Sequence, residues 1–303
     1  MEGKMLYSGK DLRKLIIPLI IEQILAIAVG MADTIMVSAA GEAAVSGVSL
    51  VDTVNILLIN VFSALATGGA VVSGHFLGKK KREDACKSAW QILLFATLLA
   101  FVISVIFITA HDPLLRLMFG KIEDDVMKAS KTYLIITTYS FVALAIYNSC
   151  AALFRAMNES KVTMWVSLLM NVINVVGNAI CIYGLHMGVA GVAIPTTISR
   201  YVAAVVIFLL MFQTKKEINL CGQITWKFNG SLIKKILYIA IPNGLENSMF
   251  QLGKILVMSA VATMGTSAIA ANAVTGTIAN WNNLPGFAIN LAIVSVVLSL
   301  IHI

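Results

Sequence analysis

Hydrophobic residues in this chain are gathered into eight long segments separated by short polar stretches. The segments run over 14–40, 49–73, 88–110, 131–154, 162–184, 189–213, 236–263 and 268–301. An α-helix of about 20 apolar residues crosses the ~30 Å hydrocarbon core of a bilayer, and each segment is long enough to do so. The pattern therefore predicts an all-α, polytopic membrane protein with eight transmembrane helices present.

The composition agrees with this prediction and argues against some kinds of site. Hydrophobic residues make up 59% of the chain and charged residues 12%, far from the roughly half-apolar and quarter-charged balance of soluble domains. The four cysteines show no CxxC spacing and the four histidines no HExxH pairing, so we expect neither a metal framework nor a disulfide framework. The first segment is too long, and too soon followed by a second, for a cleaved signal peptide.

The distribution of basic residues predicts the topology. Sixteen of the 22 Lys and Arg residues fall on one side if the helices alternate, in the N-terminus, the 74–87 loop, the 155–161 turn and the 214–235 loop. The positive-inside rule then places the N-terminus in the cytoplasm of a multi-pass plasma-membrane protein. The net charge of +7 reflects this topology, and no soluble basic face for nucleic acid is present.

Residues 11–50 reappear, ungapped, at an offset of 224. The matching pairs are Ile17 and Ile241, Pro18 and Pro242, Glu22 and Glu246, Val37 and Val261, Gly41 and Gly265, and Ala44 and Ala268. A repeat in the same orientation after about six helices is typical of a transporter built from two parallel lobes. We therefore expect an N-terminal six-helix lobe at 1–213, a cytoplasmic linker at 214–235, and the start of a second lobe at 236–303, eight helices of twelve. We also expect that this chain alone does not transport.

The predicted linker contains aromatic and basic residues side by side. Trp226 and Phe228 flank Lys227, and Lys234 and Lys235 follow. Such a stretch suits the cytoplasmic membrane interface. A plain loop is an equally good interpretation of the sequence.

Two acids lie inside the first predicted span. Asp33 is about twenty residues into it, and an ionisable carboxylate at that depth is a functional-site hypothesis. Glu22 lies eleven residues earlier, so both acids project from one helix face, with Ala26 and Gly30 between them. The alternative for each is a neutral carboxyl group hydrogen-bonded to a neighbouring helix.

The fifth predicted span carries an amide stripe. Asn171, Asn174 and Asn178 share one face at i, i+3 and i+7. Amide oxygens beside the Asp33 carboxylate would suit Na⁺, or a proton held on the acid, and Thr196 in the sixth span could complete the site. The alternative is interhelical hydrogen bonding, and it is strongest for Asn171.

Polar residues in the last two spans are candidates for a substrate cavity. In the seventh span Glu246 lies near the midplane, beside a stripe that contains Gln251 and Lys254. Lys254 could be the counter-ion of a buried acid or could snorkel to the outer interface. In the eighth, Asn282 and Asn283 belong to a Pro-Gly-interrupted stretch at 279–287, and interrupted helices at membrane depth usually line a cavity.

Several longer segments resemble one family of membrane proteins. They read IPLIIEQILAIAVGMADTIMVSAAG, GGAVVSGHFLGKKK, NVINVVGNAI, GVAGVAIPTTIS and PNGLENSMFQLGKILV. They are similar to the multidrug and toxic compound extrusion (MATE) family of cation-coupled efflux transporters. The resemblance covers almost the whole chain and implies twelve helices in two lobes around a central cavity. It also implies export of organic cations and other amphipathic compounds in exchange for Na⁺ or H⁺.

The resemblance carries over to particular residues. The family's cation site in the first lobe matches Asp33, Asn174 and Thr196, while Asn178 stands where many members have a second aspartate. This is one negative charge fewer, so the coupling ion, Na⁺ at Asp33, Asn174 and Asn178 or H⁺, stays open. An acid that some members carry in the seventh helix falls at or near Gln251. No cofactor beyond the coupling ion is implied.

Two other functions compete with a drug exporter. A flippase for lipid-linked oligosaccharides would have a similar helix plan, but its pyrophosphate would need several basic residues in the cavity, and only Arg200 and Lys254 lie at membrane depth. An intramembrane enzyme would need a nucleophile with a base, or a metal set, and no such spacing falls inside a span. The expected partners are the lipid bilayer and small organic cations or amphipathic drugs, with a monomer at full length.

Overall fold

The computed structural model describes residues 9–276 except 121, 215 and 222–224, together with positions 278, 279, 282, 283, 286 and 289. Side chains are described from residue 17 onward. Throughout these residues the regular structure is helical. The helices are α1 (Gly9–Ser38), α2 (Glu42–Gly78), α3 (Arg82–Thr109), α4 (His111–Phe119), α5 (Asp124–Thr138), α6 (Phe141–Ala156), α7 (Ser160–Ala179), a π-helical turn (Ile180–Gly184), α8 (Ala190–Leu210) and α9 (Gly230–Ala262). Residues 266–276 are also helical.

The described helices confirm a polytopic all-α membrane fold. Five of them are long and apolar enough to cross a membrane, and the bent pair α5 and α6 makes up to six. The five are α1, α2, α3, α7 with its π-helical turn, and α8. They coincide with the first three, the fifth and the sixth predicted segments. The seventh corresponds to α9, 33 residues long, and most of the eighth lies outside the described residues.

The fourth predicted span consists of two helices, where the sequence predicted one. α5 and α6 meet at an angle of 52°. The sequence Thr-Thr-Tyr-Ser at the junction supplies hydroxyl groups that bond to nearby carbonyls and so compete with the helical ladder. Ser140 Oγ donates to the Thr137 carbonyl at 2.6 Å. The Tyr201 hydroxyl from α8 donates to the Tyr139 carbonyl at 2.8 Å, so the break is held from outside as well.

α2 is the central helix and packs against α3, α5, α6 and α9. Small residues allow these close contacts, as membrane helices require. A Cβ atom placed on Gly68 would lie 2.7 Å from the Ile236 carbonyl oxygen in α9. At the other end, Ser46 Oγ donates to the Thr266 carbonyl at 3.0 Å. Residue numbers rise along one helix as they fall along the other, so α9 runs antiparallel to α2.

Apolar packing is concentrated at two levels of the bundle. Val48 and Val51 of α2 meet Leu134 of α5 and Met258 of α9 in one cluster. A second cluster surrounds Phe154 of α6 and joins α3, α6 and α8. The polar groups described below lie beside these clusters and are held in place by them.

The internal repeat has a counterpart in the backbone. α1 ends at Ser38 and α9 at Ala262, and these positions differ by the repeat offset. Gly41 and Gly265, the next glycine after each helix, both adopt a positive φ, 102° and 100°. A side chain would be strained in that conformation, which explains why glycine stands at both positions. The division at 214–235 into lobes and linker remains a prediction.

The segment between α8 and α9 is bound to the bundle. The Arg82 guanidinium at the start of α3 donates to the backbone carbonyls of Glu217 at 2.9 Å and Lys216 at 2.6 Å. Ile218 and Leu220 are fully buried in the cluster around Phe154. This part of the predicted linker is therefore an ordered strap, and α9 begins at Gly230, six residues before the predicted span.

Candidate functional site

A close contact between α7 and α8 brings the amide stripe to its partners. A Cβ atom on Gly177 would lie 2.7 Å from Cβ of Pro195. The absence of a side chain at 177 lets the two helices approach at this level. Asn174 and Asn178 lie on either side of Gly177, and Thr196 follows Pro195 directly, so this contact sets the position of all three.

The hydrogen bonds continue from α8 through α7 to α1. Asn174 Nδ2 donates to Thr196 Oγ1 at 2.8 Å, and Thr196 Oγ1 donates to the Val192 carbonyl at 2.8 Å. Asn178 Nδ2 donates to Asn174 Oδ1 at 3.2 Å and to Asp33 Oδ1 at 2.6 Å. The structure thus brings together four residues that the sequence analysis selected, Asp33, Asn174, Asn178 and Thr196.

One oxygen of this group is buried without a hydrogen bond. Asn178 Oδ1 has no donor among the described residues, and an unpaired buried acceptor normally costs about 1–3 kcal/mol. With the half-buried Asp33 carboxylate, it supplies the oxygen ligands that Na⁺ prefers. These oxygens therefore fit a monovalent cation. A protonated Asp33 carboxyl group could instead donate a hydrogen bond to the same amide oxygen.

Substituting the glycine in the α7–α8 contact should disrupt this arrangement. We expect Gly177→Ala to cost about 1–3 kcal/mol, since its new methyl group overlaps the rigid Pro195 ring. Gly30→Ala in α1 is the matched control, because its Cβ would meet nothing within 4 Å and alanine favours a helix by about 1 kcal/mol over glycine. Thermal unfolding of both variants in detergent measures the difference. Equal stability of the two would contradict the close contact.

The structure adds two residues, Asp52 and Arg200, to the site that the sequence analysis selected. Asp52 of α2 accepts a hydrogen bond from Asn55 Nδ2 at 3.4 Å, and its carboxylate interacts with Tyr133 of α5. Arg200 of α8 donates to Ser140 Oγ at 2.8 Å, at the break between α5 and α6, and its charge acts on both Asp33 and Asp52. An acid within the apolar run VSLVDTVNILL was the available signal for Asp52.

The arrangement is a polar cluster with two acids and one base. We call Asp33, Asp52, Asn174, Asn178, Thr196 and Arg200 the polar cluster. With both carboxylates ionised, its formal charge is negative by one unit. Binding one monovalent cation or one proton would bring the charge to zero.

Glu22 lies elsewhere, in an ion pair. Its carboxylate is 3.2 Å from Arg155 Nη1 at the end of α6, and it accepts from Thr163 Oγ1 of α7 at 3.2 Å. Eleven residues of helix separate Glu22 from Asp33, which corresponds to about 16 Å. Glu22 is buried, with 8% of the residue exposed. Glu22 therefore fastens α1 to α6 and α7 and is not brought to the polar cluster.

The remaining candidates are dispersed. Asn171 is buried, and its Nδ2 has no acceptor within the described part of the chain. Gln251 is buried on α9, whereas Glu246 is exposed. Lys254 is exposed too, with Nζ 4.9 Å from the ring centroid of Phe250. Asn282 and Asn283 occupy helical, exposed positions, and the rest of the stretch around them is only partly described.

Comparison with known proteins identifies the family. A family model described as MatE matches residues 18–180, more than half of the chain. The chain belongs to the MatE family. The match contains Asp33, Asp52, Asn174 and Asn178 of the polar cluster, while Thr196 and Arg200 lie beyond it.

Curated relatives of this MatE protein include an uncharacterized transporter, YisQ, of Bacillus subtilis, which is 28% identical over 90% of the chain. A probable multidrug resistance protein, NorM, of Thermotoga maritima is 25% identical over 95% of it. The chain spans 60% and 62% of the lengths of these two proteins.

Solved structures show the same MatE fold. An outward-facing multidrug resistance MATE family transporter of the MOP superfamily superposes with a TM-score of 0.82 at 23% identity, over 95% of this chain and 63% of its own. The MATE multidrug transporter DinF-BH gives a TM-score of 0.85 at 24% identity, over 94% and 64%. At these identities the likeness concerns the fold alone.

Proposed function

We propose that this MatE chain is part of a secondary active antiporter that exports organic cations and other amphipathic compounds in exchange for Na⁺ or H⁺. The observation that carries the proposal is the hydrogen bond from Asn178 to Asp33, which sets a carboxylate deep in α1 beside amide and hydroxyl oxygens. Two relatives support it, the probable multidrug resistance protein NorM and the multidrug transporter DinF-BH.

The proposed coupling works through the charge of the polar cluster. Na⁺ would bind to the Asp33 carboxylate and the oxygens of Asn174, Asn178 and Thr196, or a proton would bind to Asp33 itself. Either ion removes the negative charge that attracts a cationic substrate. Ion and substrate would then favour different arrangements of the helices, as exchange requires.

The same charge argues against a flippase for lipid-linked oligosaccharides. A pyrophosphate group would need several free basic side chains. Arg200 donates a hydrogen bond to Ser140 and its positive charge acts on two carboxylates, and Lys254 lies over the Phe250 ring. The polar cluster therefore favours a cationic ligand over an anionic one.

A competition experiment tests the proposal on the purified chain. Ethidium, a fluorescent organic cation, should bind more weakly when Na⁺ replaces choline at constant ionic strength, or when the pH is lowered. The reason is that ion and dye compensate the same negative charge, so each must weaken the other equally. Fluorescence anisotropy measures the dissociation constants. Affinities that depend on neither Na⁺ nor pH would overturn the proposal.

We further propose a cytoplasmic N-terminus in the plasma membrane, on the basis of the basic loops. The test uses single cysteines in a background that lacks the native four. Cysteine at Lys79 or Gln213, both exposed, should resist an impermeant maleimide in intact cells. Cysteine at Asp125, exposed at the start of α5, should react. The reverse labelling pattern would invert the topology.

A further inference from the structure

Residues 225–235, which join the strap to α9, combine aromatic and basic side chains. The sequence TWKFNGSLIKK contains three lysines and two large aromatic residues and has no acid. All eleven positions belong to the described residues. The polar cluster makes no use of them, so they are a separate feature of the molecule.

Hydrogen bonds fix this segment against α3. Trp90 Nε1 donates to the Thr225 carbonyl at 2.7 Å. Gln91 Nε2 donates to the Lys227 carbonyl at 2.9 Å, and Gln91 Oε1 accepts from the Asn229 backbone amide at 2.9 Å. Asn229 also caps α9, its Oδ1 accepting from two backbone amides. The backbone around Trp226 and Phe228 is thus held at a defined height on α3.

The contacts with Trp90 and Gln91 lie well away from the N-terminal end of α3, toward the middle of the bundle. Trp90 is eight residues after the start of α3, about 12 Å along the helix. Gly69 of α2 is level with it, because a Cβ there would touch Ile92 at 2.5 Å. α2 has 37 residues and is about 55 Å long, much longer than the ~30 Å hydrocarbon core. The ends of α2 and α3 therefore project beyond the hydrocarbon core, and an overhang of about 12 Å shared equally between the two ends of α2 places residues 225–229 at its surface.

The side chains at this level point away from the protein. Trp226 is 81% exposed and Phe228 is 47% exposed. Lys227 and Lys234 are exposed as well. Lys235 Nζ lies 5.6 Å from the ring centroid of Phe76 on α2, which leaves its charge at the same edge of the bundle. Aromatic rings beside lysines at a membrane surface match the chemistry of lipid headgroups.

We propose that residues 225–235 are an interfacial anchor that binds anionic phospholipid headgroups. Trp226 and Phe228 insert among the headgroups, while Lys227, Lys234 and Lys235 contact lipid phosphates. We infer an anionic headgroup as the ligand because all charged residues of the segment are basic and because the segment lies at the level of the membrane surface. The inference depends only on membrane insertion and stands independently of the proposed transport function.

The aromatic part of the anchor can be tested by fluorescence quenching in lipid nanodiscs. Brominated phosphatidylglycerol in a phosphatidylcholine bilayer should quench Trp226, and equally abundant brominated phosphatidylcholine should quench it less. Subtracting the signal of Trp226→Phe isolates this residue from the other three tryptophans. Absence of a Trp226 signal, or equal quenching by both lipids, would overturn the proposal.

The basic part is tested by two matched triple variants. Lys227→Gln/Lys234→Gln/Lys235→Gln should lower the preference for phosphatidylglycerol at least about tenfold, since each lysine near the surface contributes about fivefold. Lys79→Gln/Lys80→Gln/Lys81→Gln removes the same charge from the projecting end of α2. This variant should change the preference for phosphatidylglycerol much less, because in physiological salt charges act on lipid headgroups only over about 8–10 Å. Equal losses in both variants, or displacement of the lipid by inorganic phosphate, would contradict a headgroup site.

Discussion

Asp33→Asn should abolish the effect of Na⁺ and of pH on ethidium binding while the chain remains folded. Asparagine keeps the shape of the side chain, and its oxygen can still accept from Asn178 Nδ2, which lies 2.6 Å from the carboxylate. It cannot carry a charge or bind a proton. The dissociation constant for ethidium should become the same in Na⁺ and in choline, and at low and neutral pH.

Asp112→Asn is the matched control for this variant. Asp112 lies on α4 outside the spans, where a hydrogen bond from Lys131 holds the pKa of its carboxyl group below the ordinary value. Its substitution should leave the competition by Na⁺ and protons unchanged. Full competition in Asp33→Asn would move the coupling site elsewhere. Asp52 and then Glu246 would be the next residues to replace.

Arg155→Ala should give the largest loss of stability, about 3–5 kcal/mol of unfolding free energy. It leaves the Glu22 carboxylate buried with Thr163 as its remaining donor in the structure. Desolvating an ion is costly unless an opposite charge compensates it. Unfolding of the purified chain by titration with a denaturing detergent measures the difference.

Two further variants separate this explanation from a general loss of packing. Glu22→Met/Arg155→Met removes both charges and should recover most of the stability, since an apolar pair avoids the desolvation cost. Lys131→Ala breaks the exposed pair with Asp112, 3.0 Å apart, and should have little effect. A double variant as unstable as Arg155→Ala would show that the charge of Glu22 is not the cause.

The polar cluster could be predicted in part because its signals are local in sequence. Asn174 and Asn178 are one helical turn apart on an apolar helix, and lipid cannot satisfy such groups, so they had to face protein or water. In the structure they meet this requirement through hydrogen bonds to Asp33 and Thr196. Asp52 was missed because it lies close to the start of the second predicted span, where an acid resembles an ordinary interfacial residue.

Other features depend on contacts that hydropathy does not encode. The break between α5 and α6 is also held by donors from α8, and nothing in residues 131–154 indicates that Tyr201 and Arg200 supply them. Glu22 and Asp33 look alike in sequence, yet Glu22 forms an ion pair whose partner, Arg155, is 133 residues away along the chain. The segment between α8 and α9 shows the same limit, since its order depends on Arg82 and Gln91 of a distant helix.

The antiparallel packing of α9 on α2 has a consequence for counting membrane crossings. α1 joins α2 through a three-residue turn and also runs antiparallel to it, so α1 and α9 point the same way. Two helices that point the same way must be separated by an even number of crossings, counted from the start of one to the start of the other. α1, α2, α3, α7 and α8 supply five, and α4, with nine residues, is too short to cross. Parity therefore requires α5 and α6 to cross the membrane once, together, despite the 52° bend between them.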